Sequence, residues 1–185
     1  MFIEHSLRII MFALVTMLSV QMVTAVTEKR FVANTPESKI VISSLVSSVG
    51  DIDRQLRCLT RNVYFEAGNE PPEGKIAVAQ ITVNRLSDGR FGDDICAVVH
   101  AKNSFTDRIM CQFSWLCDGS EKRRTIKNEM WNESEVAAKK VLLEGFRLPS
   151  LGDALYFHAT YVNPQWRNLE RVATIGNHVF YKSKV

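Results

Sequence analysis

From residue 51 onward the apolar side chains recur at helical spacing, and only past residue 150 does the period shorten to that of strands. Leu56, Leu59 and Val63 share one helical face. Asp51 or Asp53 is placed to cap that helix, which should stop at Gly68, before Asn69-Glu70-Pro71-Pro72. Ile76, Ala79, Val83 and Leu86 line a second helix, from Glu73 or Gly74 to Leu86. Asp93 or Asp94 can cap a short third helix carrying Ile95, Val98 and Val99. Residues 103–125 have no clear period and hold two cysteines, which predicts irregular structure tethered by disulfides. Asn132-Glu133-Ser134-Glu135 reads as a capping box with Asn in place of Ser or Thr, opening a helix through Val136, Lys140 and Leu143 to about Gly145. Beyond Pro149, Ala154 to Ala159 suits a strand, and Val172–Ile175 and His178–Tyr181 flank Gly176-Asn177, a two-residue hairpin signal. Helices first and strands last predict an α+β domain, mainly helical, with a small antiparallel sheet near the C-terminus.

The N-terminal pattern is of another kind. Ile9 to Thr27 is a run of 19 uncharged residues, preceded by Arg8 and followed by Glu28, Lys29 and Arg30. A basic start, an apolar run and a small-residue exit describe a secretory signal, with Val23-Thr24-Ala25 as the cleavage site and residues 1–25 removed. The competing reading is a weak membrane anchor through residues 9–27, because the run is just long enough to span. Thr16, Ser19, Gln21, Thr24 and Thr27 dilute it. Either way the remainder is expected to be exported, to the periplasm or cell envelope. Residues 26–50, polar and Ser- and Val-rich, read as a linker with room for a strand or short helix, and the domain proper as 51–185.

Composition narrows the classes without choosing one. Hydrophobic residues at 46% and charged residues at 23% exclude a chain disordered throughout, and 185 residues suit one domain with a tail. A net charge of +3 is too small to argue for nucleic acid. Cys58, Cys96, Cys111 and Cys117 form an even set in the exported part and read as two disulfides. Spacing leaves three connectivities open. The expected pairs link Cys58 or Cys96 to Cys111 or Cys117, because the latter two share one irregular stretch. No CxxC occurs and the spacings of 38, 15 and 6 fit no common zinc module, so no metal is expected. HExxH, GxSxG, GxxxxGK[ST] and GxGxxG are also absent, which leaves no sign of a zincin, serine hydrolase or nucleotide site.

Tyr64-Phe65-Glu66-Ala67-Gly68-Asn69-Glu70 is the most suggestive segment. Glu66 falls in the last turn of the first helix, where the dipole disfavours a carboxylate, and Tyr64 and Phe65 can desolvate it. Both effects raise its pKa toward that of a general acid at neutral pH. The plainer reading is a solvated helix-end Glu. Gln112-Phe113-Ser114-Trp115 interleaves aromatic and hydrogen-bonding side chains, as a sugar subsite does, although a strand with Phe113 and Trp115 facing the core fits equally. His158 can hold a substrate group or orient Glu66, or be structural.

These blocks together resemble the cell-wall hydrolase family typified by spore cortex-lytic enzymes (SleB-like), over roughly Arg57 to Tyr181. The resemblance runs from Cys58-Leu59 and YFEAGNE through Glu73 to Gln80, Val83-Asn84-Arg85, Phe91, Ile95 to Val99 and Cys111 to Gly119. It closes with Tyr156 to Ala159, Pro164-Gln165-Trp166 and Ile175 to Tyr181. The family usually has Arg-Gly after the Ala of its YxEA motif, where this chain has Gly68-Asn69. The resemblance implies a lysozyme-like fold and a monomeric peptidoglycan glycosidase needing no cofactor. It implies a lytic transglycosylase cleaving between N-acetylmuramic acid and N-acetylglucosamine, either a bacterial wall-remodelling enzyme or a phage endolysin. Glu66 carries over as acid and then base, and the expected substrate-binding set is Tyr64, Glu70, Gln112, Phe113, Ser114, Trp115 and His158. A lysozyme-type muramidase is the alternative, with Glu70, Asp107 or Asp118 as a second carboxylate. A non-catalytic wall-binding module would keep the aromatics without needing Glu66.

Overall fold

A computed structural model describes residues 36–105 and 108–184. The apolar run from Ile9 to Thr27, with the signal and anchor readings attached to it, lies outside the described residues, as does Asp107. Among the described residues no helix is long and apolar enough to cross a membrane. Contacts divide the chain into two units, Met1–Gly50 and Asp51–Val185. Of the first, the described part is helical with exposed side chains, Ile40, Leu45 and Val49 among them.

Helix α1 spans Pro36–Ala67. The expected start at Asp51 or Asp53 is therefore too late. Between Pro36 and Asp51 the only helix breaker is Gly50, whose cost of about 1 kcal/mol does not end a helix. Leu56, Leu59 and Val63 are buried as their spacing requires. Helix α2, Pro72–Asp88, opens with Pro at its first position and closes on Gly89 in the left-handed conformation. Helix α3, Ile95–His100, is capped by Asp94, whose carboxylate accepts the Ala97 N–H at 2.6 Å.

Residues 103–125 are more regular than their pattern suggests. Strands β1 (Lys102–Phe105) and β2 (Arg108–Cys111) form an antiparallel hairpin. A 3-10 turn at Ser114–Leu116 and the short helix α4, Ser120–Arg123, follow. Helix α5 runs Asn128–Leu142, so the capping-box reading of 132–135 misplaces its start by a turn. Met130 and Trp131 pack against the core and hold that first turn in helix, and Ser134 donates back to the Met130 carbonyl at 2.7 Å instead of capping. The C-terminal sheet has the order β3-β5-β4, all antiparallel, from Tyr156–Ala159, Leu169–Ile175 and His178–Ser183. Its β4–β5 turn is Gly176-Asn177, with Gly176 at φ 55°.

Helix α2 is the centre of the domain. Its Val78, Ala79 and Val83 join Leu59 and Val63 of α1, Ile95 and Val99 of α3, and Ala137, Ala138 and Val141 of α5. Its opposite face buries Ala77 and Ile81 against Leu151, Ala154, Ile175 and Phe180. A helix buried on two sides shows no single apolar stripe, and α2 also buries polar side chains. Each of these meets a partner. Lys75 Nζ donates to the Glu70 carbonyl (2.7 Å) and to Glu133 (2.8 Å). Gln80 Nε2 reaches the Leu148 and Gly152 carbonyls, and its Oε1 accepts the Leu148 N–H at 2.7 Å. Asn84 Nδ2 donates to the Gly152 and Ala154 carbonyls, both at 2.9 Å. The irregular 148–155 segment is thus clipped to α2, which fixes where β3 begins.

Both disulfides form, but not across the expected pairs. Cys58 bonds Cys96, with Cα atoms 5.3 Å apart, and Cys111 bonds Cys117 at 5.9 Å. The first follows from helix packing. Arg54, one turn before Cys58, bonds the Asp94 carboxylate at 2.7 Å, which sets α1 beside the start of α3. The second closes because the 3-10 turn folds Cys117 back onto the end of β2.

Candidate active site

Glu66 sits in the last turn of α1, at the waist between two lobes of one cleft. One lobe, of about 870 Å³, is walled by residues 64–70, Arg124, Thr125, Lys127, Met130 and the turn residue Asn177. The other, of about 390 Å³, is walled by Arg85, residues 112–115, Asp118, Ser120, Phe157 and His158. Phe65, Glu66, Arg124, Ala159, Tyr161 and His178 face both. A carboxyl with binding space on either side is where a chain-like substrate would be cut.

The Glu66 side chain is partly exposed to the cleft, yet the protein around it strips most of its water. Burial is the main cause that lifts its pKa from 4.5 to about 7, with Asp118 adding to it and Arg85 and Arg124 opposing. A carboxyl in that range is protonated in a large fraction of molecules at neutral pH, which a solvated helix-end Glu is not.

Neighbouring side chains fix this helix end. The Tyr64 hydroxyl accepts the Lys127 N–H at 3.0 Å and donates to the Thr125 carbonyl at 3.4 Å, pinning the segment that leads into α5. Tyr64 is buried and lines the first lobe, so it shapes the wall. Glu70, expected to touch substrate, instead secures the sheet. Its Oε2 accepts the Asn177 N–H at 2.8 Å and its Oε1 the Asn177 Nδ2 at 2.9 Å. Gly176 is required there, because a Cβ would land on the Glu70 carboxylate.

Gln112, Ser114 and His158 line the second lobe and are at least partly exposed. Phe113 and Trp115 line it too, but as buried side chains whose rings belong to the core, which corrects the expectation that they stack on sugar. Trp115 stacks on Phe65 at 4.6 Å and donates from Nε1 to Asn62 Oδ1 at 3.0 Å. Asn62 in turn donates to Thr82 of α2 at 3.1 Å. This buried polar chain carries rigidity from the core to the residue beside Glu66. His158 is held at both nitrogens, Nδ1 by the Ala159 carbonyl (2.8 Å) and Nε2 by the Tyr181 hydroxyl (2.9 Å). A carbonyl only accepts, so Nδ1 carries the proton and Nε2 accepts from Tyr181 when the ring is neutral.

Tyr161, Arg124 and Lys127 line the cleft and carried no signal in the pattern. Tyr161 is 88% exposed at the cleft, a free aromatic face of the kind first sought in Phe113 and Trp115. Arg124 and Lys127 place two cations on the larger lobe. His178 is buried, and that burial lowers its pKa against the opposing pull of Glu70. Asp118 is held in its ionised form by the Ser120 hydrogen bonds, so the smaller lobe contains one carboxylate besides Glu66. Among the described residues no three His, Cys, Asp or Glu side chains converge as metal ligands.

The chain is 29% identical over 142 residues to the spore cortex-lytic enzyme of Oceanobacillus iheyensis, covering 72% of this chain and 43% of that protein. It is 25% identical over 134 residues to the spore cortex-lytic enzyme of Bacillus subtilis, covering 71% and 38%. It therefore spans about two-fifths of the length of these curated relatives. The catalytic domain of the Bacillus cereus SleB protein, known from a crystal structure, has a similar fold. Its TM-score is 0.53 at 24% identity, over 70% of this chain and 91% of that one. The catalytic domain of the germination-specific lytic transglycosylase SleB from Bacillus anthracis gives 0.53 at 23%, over 69% and 93%. Residues 69–181, a stretch that opens three residues after Glu66, match the cell wall hydrolase family. On that match, which covers more than half of its length, the chain belongs to the cell wall hydrolase family.

Proposed function

We propose that the domain from Asp51 onward cuts the glycan strands of peptidoglycan between N-acetylmuramic acid and N-acetylglucosamine, as a monomeric lytic transglycosylase with Glu66 as its acid and base. The observation that carries this reading is a carboxyl raised to about 7 by burial at the waist of a two-lobed cleft. Family membership and the names of the relatives agree with it. Protonated Glu66 gives its proton to the glycosidic oxygen, the C1–O bond breaks, and the leaving sugar departs as an alcohol. The substrate's own acetamido group stabilises the charge at C1, one of the known exceptions to two-carboxylate catalysis. The Glu66 carboxylate then takes the C6 hydroxyl proton of the same sugar as its oxygen bonds to C1. The product is a 1,6-anhydro sugar and Glu66 is again protonated.

Attack by water is the second reading, and Asp118, ionised in the smaller lobe, is the observation that favours it. Glu70 is spent on Asn177 and does not serve as the second carboxylate. Mass spectrometry of muropeptides released from purified wall in heavy-oxygen water separates the two. An anhydro product without the label supports transglycosylation, and a labelled reducing end shows hydrolysis. No release of fragments by the oxidised protein, with wall binding kept, would leave a binding module. The substrate lies outside the cytoplasmic membrane, so this reading requires export, with Ile9 to Thr27 as signal or anchor. N-terminal sequencing of the mature protein checks it: a start near Val26 supports cleavage, and an intact Met1 in the membrane fraction supports the anchor.

A further inference from the structure

Among the described residues, Arg85 is the one buried cation that the fold does not account for. It lies in the last turn of α2, is 4% exposed, and lines the same lobe as Glu66. Its guanidinium carbon is boxed by three rings, 4.9 Å from the centre of Phe113, 5.4 Å from Phe91 and 5.9 Å from Phe157. Nε donates to the Leu155 carbonyl at 2.8 Å, while Nη1 has no partner. As a clip for the 148–155 segment the charge is superfluous, because Gln80 and the adjacent Asn84 do the same work with neutral amides. Burying a cation without an ion pair works against stability. Its retention beside a catalytic carboxyl calls for an electrostatic reason.

We propose that Arg85 is a positioning residue for Glu66: a fixed cation, held out of water by an aromatic box, that stabilises the carboxylate Glu66 becomes once it has given its proton to the glycosidic oxygen. The inference rests on Glu66 being the acid. The reaction needs Glu66 in both states, and desolvation alone favours only the protonated one. A buried cation favours the other more strongly than an exposed one does, because water and salt screen it less and its orientation is set before reaction. Burial lowers the pKa of Arg85 to about 10, so it remains charged at neutral pH. The remaining charges around Glu66 are less suited. Asp118 opposes its ionisation, and Arg124 favours it from an exposed segment where solvent screens it. Lys127, His158 and His178 also line the cleft, and Glu70 is bound to Asn177.

The test is carboxyl-carbon NMR titration of Glu66 in the full chain, alongside the pH profile of kcat/KM, for wild type, Arg85→Met and Arg85→Lys. Arg85→Met should move the Glu66 midpoint and the alkaline limb upward together by about one pH unit or more. At acidic pH, where Glu66 is protonated in both proteins, kcat should still fall by roughly tenfold or more with KM little changed. Arg85→Lys keeps the charge and should restore the midpoint and most of kcat. An unmoved midpoint in folded Arg85→Met overturns the proposal. So does a midpoint shifted equally in Arg85→Lys, which would mark a packing role. Should neither variant fold, wild type alone decides. A midpoint insensitive to salt supports a buried cation, and one that climbs with salt assigns the effect to exposed Arg124. Failure of the acid assignment reads separately, as activity retained in Glu66→Gln.

Discussion

Glu66→Gln should remove lytic activity and, at alkaline pH, make the fold more stable. Burial raises this carboxyl from 4.5 to about 7, so the folded chain holds the proton more tightly than the unfolded one. Between those two values the native state binds more protons than the denatured state, and stability falls as pH rises. Below 4.5 both states are protonated and there is no penalty; above about 7 both are ionised and the penalty is complete. At 1.36 kcal/mol per pKa unit the displacement amounts to about 3 kcal/mol. Gln keeps the shape of the neutral acid and never ionises, so the variant escapes this cost.

The two proteins should have equal stability near pH 4, and the variant should exceed wild type by up to about 3 kcal/mol at about pH 8, roughly 10 °C in Tm. The readout must be the difference between them. Asp51, Asp88, Asp94 and Asp118 have lowered pKa values, so acid weakens both proteins alike. Urea melts at several pH values give that difference directly. A gap that does not change with pH, or a wild type more stable than the variant in alkali, would refute the desolvated carboxyl. Activity supplies the other half. Loss of a general acid costs roughly 10²–10⁴-fold, and a variant keeping more than about half of its activity would show that Glu66 is not the acid.

Other outcomes follow from the same contacts. Removing the Cys58–Cys96 bond, which closes a 38-residue separation, should cost about 4 kcal/mol, against about 2 kcal/mol for the 6-residue Cys111–Cys117 loop, as denaturant melts of paired Ala variants will show. Alkylating the unreduced protein should leave activity intact, since the described cysteines are all paired. Tyr161→Ala should raise KM by roughly five- to tenfold without altering Tm, as expected for an exposed stacking face worth about 1 kcal/mol. Trp115→Ala should do the reverse, lowering stability by about 3–5 kcal/mol, because its ring is core. Glu70→Ala strands the Asn177 N–H and should lower stability by about 1–3 kcal/mol while leaving the alkaline limb of the pH profile in place.

Where one apolar stripe faces one core, the sequence was readable. Leu56, Leu59 and Val63 placed α1, Asp94 marked α3 with a cap, and Gly176-Asn177 marked the last hairpin. Glu66 was legible for a related reason, since helix-end position and aromatic neighbours are local. What failed was non-local. Helix α2 is buried on two sides, so the stripe of Ile76, Ala79, Val83 and Leu86 describes only part of it, and nothing near Arg85 reveals the rings that enclose it. Phe105-Thr106-Asp107-Arg108 lacks a glycine turn signal, so the β1–β2 hairpin went unseen. The Cys58–Cys96 pairing depends on Arg54 meeting Asp94 across 40 residues, a contact that no spacing rule contains.

The proposed role puts the acid, Glu66, at a helix terminus, and the contacts around it hold that terminus in place. Helix ends fray, and an acid that must meet one glycosidic oxygen cannot sit on a fraying turn. Here the turn is tied on both sides of Glu66. Tyr64, two residues before it, holds the Thr125–Lys127 segment, and Glu70, four residues after it, holds the β4–β5 turn. Arg124 Nη1 also donates to the Phe65 carbonyl at 3.4 Å, satisfying an acceptor that a helix end leaves open. Both ties reach the larger lobe, whose wall includes Thr125 and Lys127 on the approach to α5 and Asn177 of the β4–β5 turn. Loosening the hairpin at Gly176 would therefore displace the helix end and open the cleft in one motion. The position of Glu66 and the wall of the larger lobe are held by the same few hydrogen bonds.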